Sequence, residues 1–442
     1  MKITIIEALA LSFGLLVGCS SGNAAQQTSV DAVQDTVDAY SLKNIDFSLA
    51  YDLCQKQKEA LALTNAERFC ANKVNDLAFM SLHQMVKEQM DSSFVVSPMS
   101  LNCAIAIAGN GAAGKTLQEI EQLVGPIADA NSFFKKYHAA LPHNDYSNCS
   151  ILNYLAVNPK YPIKEAFTKS IADKYDACVK SIDIANPKSV KQINDWFCRQ
   201  LNDESVEVVK APEVETALLL ADVLDFHAFW TSPFDSELTS DDDFTTDSGD
   251  TLQIPMMYQE NACLYTENAS FQAVSLPYLG SCYRMLLVLP KSEKLNKFSS
   301  AMNANAFLNI LNSLKKEDLV KLHLPRFRCV ADMDAKKMLA KFIPSAFDDK
   351  KANFSAICAL PTWLNEISHK TSLEVTEQGT KARSITVESF LVKAETENPE
   401  FYATHPFLFF VYDDATHAIM LTGQFCGDGV ILNENNNSSK IH

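Results

Sequence analysis

The chain has 442 residues, 47% of them hydrophobic and 21% charged, which is ample apolar length for a substantial core in one domain or two. Its formal net charge of -16 disfavours nucleic acid, and no Lys/Arg cluster offers a seat for a polyanion. The acidic excess reads most simply as solubility. Residues 1–18 read as a targeting segment, in which Lys2 is a weak positive start and an apolar run covers Ala8 to Val17. Glu7 is an unusual charge so early. Leu16-Val17-Gly18-Cys19 is similar to the bacterial lipobox, which makes Cys19 the expected lipidated first residue, with an ordinary secretory signal as the alternative. The polar, Ser/Gln/Asp-rich stretch 19–45 reads as a flexible tether, and 46–69 as an N-terminal helical extension. No later run is long enough to cross a bilayer. The expected location is therefore an outer-membrane-anchored lipoprotein, periplasmic or at the cell surface.

Residues 70–92 have helical spacing, with Leu77, Met80, Leu82, Met85 and Val86 forming an apolar stripe. Phe94-Val95-Val96 predicts a short strand, and Ser97-Pro98 starts a helix with a cap and a first-turn proline. Residues 190–202 predict a helix and 215–229 a buried strand. From 250 to 330 strands dominate, including Gln272–Pro277, Arg284–Pro290 and Val320–Arg328. Between Thr380 and Thr386 the residues alternate. Thr380, Ala382, Ser384 and Thr386 are small, while Lys381, Arg383, Ile385 and Val387 are bulky or charged. A period of two means an extended strand, one face fit for a core and the other for water. The tail 431–442 is Asn/Ser-rich and reads as disordered.

Of the 12 cysteines, Cys19 is assigned to lipid, leaving 11 with no CxxC pair. Metal-ligand spacing is absent, no cofactor is indicated, and an odd count leaves at least one free thiol. Cys103 reads as a buried small hydrophobe. Cys54 and Cys70 are a possible pair that spacing alone does not establish. Gly109 to Thr116 satisfies the GxxxxGK[ST] phosphate-loop pattern, with Leu218–Asp222 as a possible magnesium-binding strand end. A phosphate loop needs a strand directly before it. Here a helix precedes the glycines, so nucleotide binding is a remote alternative.

A colinear set of short motifs carries a family resemblance. These are Phe94–Leu101, Gly111–Ile120, Ile193-Asn194-Asp195-Trp196 and Phe226–Trp230 with Pro233-Phe234 and Phe244. Then come Leu276-Pro277-Tyr278, Leu287–Pro290, Leu324–Phe327, Ala352–Ser355, Glu377–Thr380 and Phe401–Phe407. Together they resemble the serpins, the serine protease inhibitors, over about residues 70–430. The resemblance implies an α+β fold of three β-sheets and eight to nine helices, with a reactive loop at about 379–399. It implies a suicide substrate and not an enzyme. A protease attacks the loop, an acyl-enzyme forms, and the cut loop enters the main sheet as a new strand, deforming the trapped protease. The implied partner is the target protease, bound covalently, with the inhibitor itself a monomer and neither nucleic acid nor a small-molecule substrate involved.

The resemblance also implies site residues. Glu377, Gly379, Thr380, Ala382, Ser384 and Thr386 match the hinge. Ser97, Ser100, Asp222 and His369 match the shutter, Asp222 standing where the family commonly has asparagine. Paired with a protonated His369, that aspartate would make opening pH-sensitive; the plainer reading is a hydrogen-bonded core histidine. Trp230 matches the breach tryptophan, and Arg326 the basic residue opposite Glu377. The expected scissile bond is Lys393-Ala394, fourteen residues beyond Gly379, which suits a trypsin-like pocket floored by a carboxylate. Phe390, Leu391 and Val392 keep chymotrypsin- or elastase-like enzymes in play, with cysteine proteases a further alternative, and a loop about two residues longer than the family's common pattern blurs the count to the scissile bond. Glu388 falls on the inward parity, where a buried carboxylate is costly. A non-inhibitory serpin-fold carrier is the alternative, but it would be expected to bear charged or bulky inward hinge residues.

Overall fold

The computed structural model describes residues 45–210, 216–292, 294–381 and 398–431, the side chain of residue 333 excepted. The first half begins with α1 (Phe47–Ala60), α2 (Asn65–Glu88), β1 (Phe94–Val96) and α3 (Pro98–Gly111). It continues through α4 (Gly114–Val124), α5 (Ile127–Ala139), β2 (Ser147–Val157), α6 (Glu165–Tyr175) and β3 (Cys178–Ser181). It closes with α7 (Pro187–Leu201) and β4 (Leu218–Phe229). The second half holds β5 (Ser240–Thr245), β6 (Thr251–Glu267), β7 (Phe271–Pro277), β8 (Tyr283–Pro290), α8 (Leu295–Ala301) and α9 (Ala304–Ser313). Then follow β9 (Lys315–Pro325), β10 (Phe327–Asp334), α10 (Lys336–Leu339) and β11 (Leu364–Thr376). The last elements are β12 (Gly379–Thr380), β13 (Glu400–Tyr402), β14 (Phe407–Asp413) and β15 (Ile419–Phe425).

Helix α3 starts where the chain dictates. The Ser97 side chain accepts from Ser100 N, and Pro98 occupies the first turn, where its missing N–H costs nothing. Nearly every residue from Pro98 to Gly111 is buried, as expected of a helix apolar all round. Helix α2 begins at Asn65, five residues before the predicted start and across the expected boundary of the extension. The cause is a capping box at Thr64 and Glu67. Burial opposes ionisation of Glu67, but Lys136 at 2.6 Å, the Thr64 N–H and the Ser132 hydroxyl outweigh it and bring the carboxyl down to about 2.

The strands form two ladders. Six run in the order β10-β11-β12-β4-β2-β3, and nine are joined as β1-β15-β14-β8-β7-β6-β9-β13 with β5 on β6. The three-sheet layout is present with two sheets run together. The cause is β6, whose 17 residues pair with β5 at the start, with β9 along most of their length and with β7 at the end. Ten α-helices are present among the described residues. The main core takes in α3, α5 and inward residues of both ladders. A second cluster joins α2, α8 and α9 to β8 and β14, and a third joins α7 to β2 and β4. Strand β4 is buried at all but one position, so it reads as a continuous apolar run without alternation.

Two expectations are corrected. The single strand Val320–Arg328 is two strands in different sheets, broken at Arg326, whose N–H turns to Pro255 O. Cys54 and Cys70 are both free thiols, because they face different neighbours. Cys70 packs beside Gly125, whereas Cys54 faces a cavity shared with Cys282.

Candidate functional site

Along one seam of the six-stranded sheet, an edge of β4, two strands share the pairing among the described residues. Strands β11 and β4 pair in parallel from Leu364 opposite Leu218 to Lys370 opposite Val223. Beyond that point their described register partners stop. At the far end β12 fills the space instead, Gly379 opposite both Phe229 and Thr376, and Thr380 opposite both Ala228 and Val375. Between the two lies a stretch, Leu224 to Phe226 on β4, that pairs with β2 on one side and has no register partner on the other among the described residues.

Glycine is required at the start of β12, since a Cβ on Gly379 would lie 2.1 Å from Ala228 O. Thr380 is fully buried, and its hydroxyl is 2.6 Å from the Tyr278 hydroxyl. Tyr278 stacks on Trp230 with ring centroids 4.4 Å apart and planes 14° from parallel. Trp230, 1% exposed, donates from Nε1 to Thr376 O at 3.0 Å and from its backbone N–H to Gln378 O at 2.9 Å. Glu377 is held from two sides. Arg326 donates to Oε1 from Nε at 3.1 Å and also from Nη2, while the Thr239 hydroxyl donates to the same oxygen at 2.7 Å. The tetrad of Glu377, Arg326, Trp230 and Thr380 therefore meets at one end of the seam.

Lys381 turns out of the sheet in the left-handed region, φ 48. Its N–H donates to Glu374 O at 2.9 Å, and its Nζ reaches Asp225 Oδ1 at 3.1 Å. His227 Nε2 meets the same carboxylate at 2.9 Å, with Nδ1 3.4 Å from Lys381 O. Burial opposes ionisation of Asp225, but His227 and the Lys381 ammonium outweigh it and hold the carboxyl below its ordinary range. Neither Asp225 nor His227 stands out in the sequence.

At the β11–β4 part of the seam the four shutter residues come together with a fifth. His369 Nδ1 is 2.7 Å from Asp222 Oδ1, to which the Ser100 hydroxyl also donates at 2.5 Å. His369 Nε2 accepts from Ser97 N at 3.1 Å and lies 2.9 Å from the Thr371 hydroxyl. Because a backbone N–H can only donate, Nε2 must be an acceptor and the proton sits on Nδ1. The cluster is a buried network at the last paired rungs, His369 opposite Asp222, in which Asp222 Oδ1 carries the bonds and Oδ2 has no hydrogen-bond partner among the described residues.

Ala382, Ser384, Thr386, Glu388, Lys393, Ala394 and Cys19 lie outside the described residues. The phosphate-loop pattern resolves into helix α3, a turn and helix α4. There Lys115 pairs with Glu119 at 3.5 Å, and the Thr116 hydroxyl is engaged by Asn353 N and Ser345 Oγ. Thr239, Thr371, Lys381, Asp225 and His227 were not foreseen, and Tyr278 had a motif but no role. Tyr278, Thr239 and Lys381 find partners 102 to 156 residues away, while Thr371 and His227 meet His369 and Asp225 two residues away on their own strands, where they join clusters assembled by strand register.

The family model described as Serpin (serine protease inhibitor) matches residues 72–427, and the chain belongs to that family. An uncharacterised serpin-like protein of Thermococcus kodakarensis is 29% identical over 81% of this chain and 85% of its own length. Human neuroserpin is 26% identical over 82% of this chain and 93% of its own. Human thyroxine-binding globulin, solved in complex with its hormone, has a TM-score of 0.75 at 23% identity, covering 81% of this chain and 98% of that one. Tengpin, a thermophilic serpin in its native state, has a TM-score of 0.75 at 23% identity, covering 89% and 98%. Serpins as a family inhibit serine proteases, so a protease is the partner class the membership implies.

Proposed function

We propose that this chain is a suicide-substrate inhibitor of trypsin-like serine proteases. The observation that carries the reading is the seam: β12 is already seated between β11 and β4, antiparallel to both, beyond the rungs at which those two strands pair with each other. Cleavage after Lys393 frees the segment that follows Thr380 to extend β12 antiparallel to β4. Each added residue gains ladder hydrogen bonds and apolar burial withheld from the uncut state. Full entry must also part the rungs from Leu364 to Lys370, where the cluster of Ser97, Ser100, Asp222, His369 and Thr371 sits. The protease, esterified through its serine, is carried along before water can release it. The thyroxine complex shows that the fold can also hold a ligand, so the fold alone does not choose between the two functions. Thr380 favours inhibition: it is small, uncharged and buried at the entry of the slot. Mixing with trypsin tests the reading. An SDS-stable adduct beside a cleaved form is expected, whereas cleavage without an adduct would refute it.

We also propose export and lipidation at Cys19, which would tether a monomeric inhibitor to a membrane through residues 20–45. Support comes from the Leu16–Cys19 motif. Among the described residues no helix is long and apolar enough to cross a membrane. Detergent-phase partition of the full chain, lost in Cys19→Ser, tests the anchor.

A further inference from the structure

Helix α1 docks through one face. Ala50 and Leu53 pack against Leu279 in the turn between β7 and β8. One turn further on, Gln57 Oε1 accepts from Cys282 N at 2.8 Å. Lys58 then meets Asp414 at 2.6 Å, and Asp414 N donates to Cys282 O at 2.9 Å. Cys54 falls between these contacts on the same face, three residues before Gln57 and four before Lys58. Residues at that spacing have Cβ atoms about 5–6 Å apart, which brings Cys54 within a turn of whatever Gln57 touches. Both Cys54 and Cys282 line one cavity of about 300 Å³ between α1 and the turn.

We propose that Cys54 and Cys282 are a disulfide-forming pair that covalently ties α1 to the β7–β8 turn. A disulfide requires about 4.4–6.8 Å between Cα atoms, and the shared cavity wall together with the Gln57–Cys282 hydrogen bond places the two residues at the same contact. Cys54 is only half-buried while Cys282 is 2% exposed, so the order of events follows from access. With a low-molecular-weight disulfide such as oxidised glutathione, the Cys54 thiolate attacks one sulfur and expels a glutathione thiolate. The Cys282 thiolate then attacks the Cys54 sulfur of the mixed disulfide and expels the second. The two protein thiols give up two electrons and two protons, and the oxidant becomes two thiols. Burial raises both protein thiols above their ordinary value, opposed at Cys54 by the Lys58 ammonium and reinforced at Cys282 by Asp413. The exchange is therefore slow and favoured by alkaline pH. The exported location proposed above would supply an oxidising compartment, although the geometry does not depend on it.

The test is incubation of the full chain with oxidised glutathione at alkaline pH, to equilibrium, followed by peptide mapping under non-reducing conditions. The expected result is a Cys54–Cys282 cross-linked peptide, the loss of two titratable thiols and a Tm higher by roughly 5 °C, all reversed by dithiothreitol. Cys54→Ala and Cys282→Ala should each abolish the cross-link, and Cys70→Ala should leave it in place. Cys54 recovered only as a glutathione adduct, or joined to a different cysteine, would overturn the proposal. Trypsin-adduct formation by the reduced protein is read separately, so failure of the cross-link leaves the inhibitor reading standing.

Discussion

Replacing Glu377 by glutamine removes a single charge at the point where the hinge meets the sheet. Arg326 directs two N–H groups at Glu377 Oε1, and the Thr239 hydroxyl adds a third donor at 2.7 Å. The side chains are 14% and 7% exposed, so solvent can do little to replace the lost carboxylate. Removing one partner of a buried pair costs about 3–5 kcal/mol, and the residual exposure of Arg326 argues for the low end, about 3 kcal/mol. At about 2 °C per kcal/mol, as suits a large domain, the variant should melt roughly 6 °C below the parent when followed by near-UV circular dichroism. The damage is local, so far-UV spectra at 25 °C should be unchanged. Loosening the hinge also opens the seam to a strand from another copy, so native gels of the warmed variant should show a ladder of polymers, stronger still for Glu377→Arg. Combining Glu377→Arg with Arg326→Glu should restore part of the loss. A Glu377→Gln variant that melts within about 1 °C of the parent and stays monomeric on warming would refute the reasoning.

Thr380→Arg places a charge in a fully buried slot against the Tyr278 hydroxyl; the variant should still fold and be cut by trypsin but yield no SDS-stable adduct, and retained adduct would show that the slot is not used. Lys393→Ala should abolish the trypsin adduct with the fold intact, and the new N-terminus after trypsin challenge of the parent should be Ala394; a terminus elsewhere moves the scissile bond. Trp230, stacked on Tyr278 beside Thr380, should change its fluorescence when the loop is cut, and an unchanged spectrum after verified cleavage would deny it that position. Burial lifts the Asp413 carboxyl from 3.8 to about 6 against the pull of the Ala415 and Thr416 N–H groups. The folded state therefore binds this proton more tightly than the unfolded chain, so its contribution is complete below pH 3.8 and is lost as pH rises through about 6. Accordingly the Tm of the parent relative to Asp413→Asn should fall between pH 4 and pH 7; a flat difference would contradict the shift.

Much of the fold was legible because its signals are local. Ser97-Pro98 announces α3 through capping chemistry that needs only neighbouring residues, and the apolar run of β4 needs only its own composition. The parity of Thr380 and Lys381 is likewise an intrinsic property of extended chain, and in the structure Thr380 points in while Lys381 turns out. The order of the motifs was enough to place the chain in its family. Packing decided the rest. Val320–Arg328 reads as one strand because β propensity is continuous through it, yet Arg326 leaves the ladder and the chain changes sheet. That choice depends on Pro255 and Glu377, 71 and 51 residues away, which no window can weigh. For the same reason Cys54 lines a cavity with Cys282 while Cys70 packs beside Gly125, since the partner of a helix face is set by what docks on it. His369 could be assigned to a polar cluster by type, but its proton was placed only when the N–H of Ser97 was found on Nε2. Periodicity and capping are encoded within a few residues of chain; the partners of the seam, 272 residues apart for Ser97 and His369, follow from how two sheets and their helices pack.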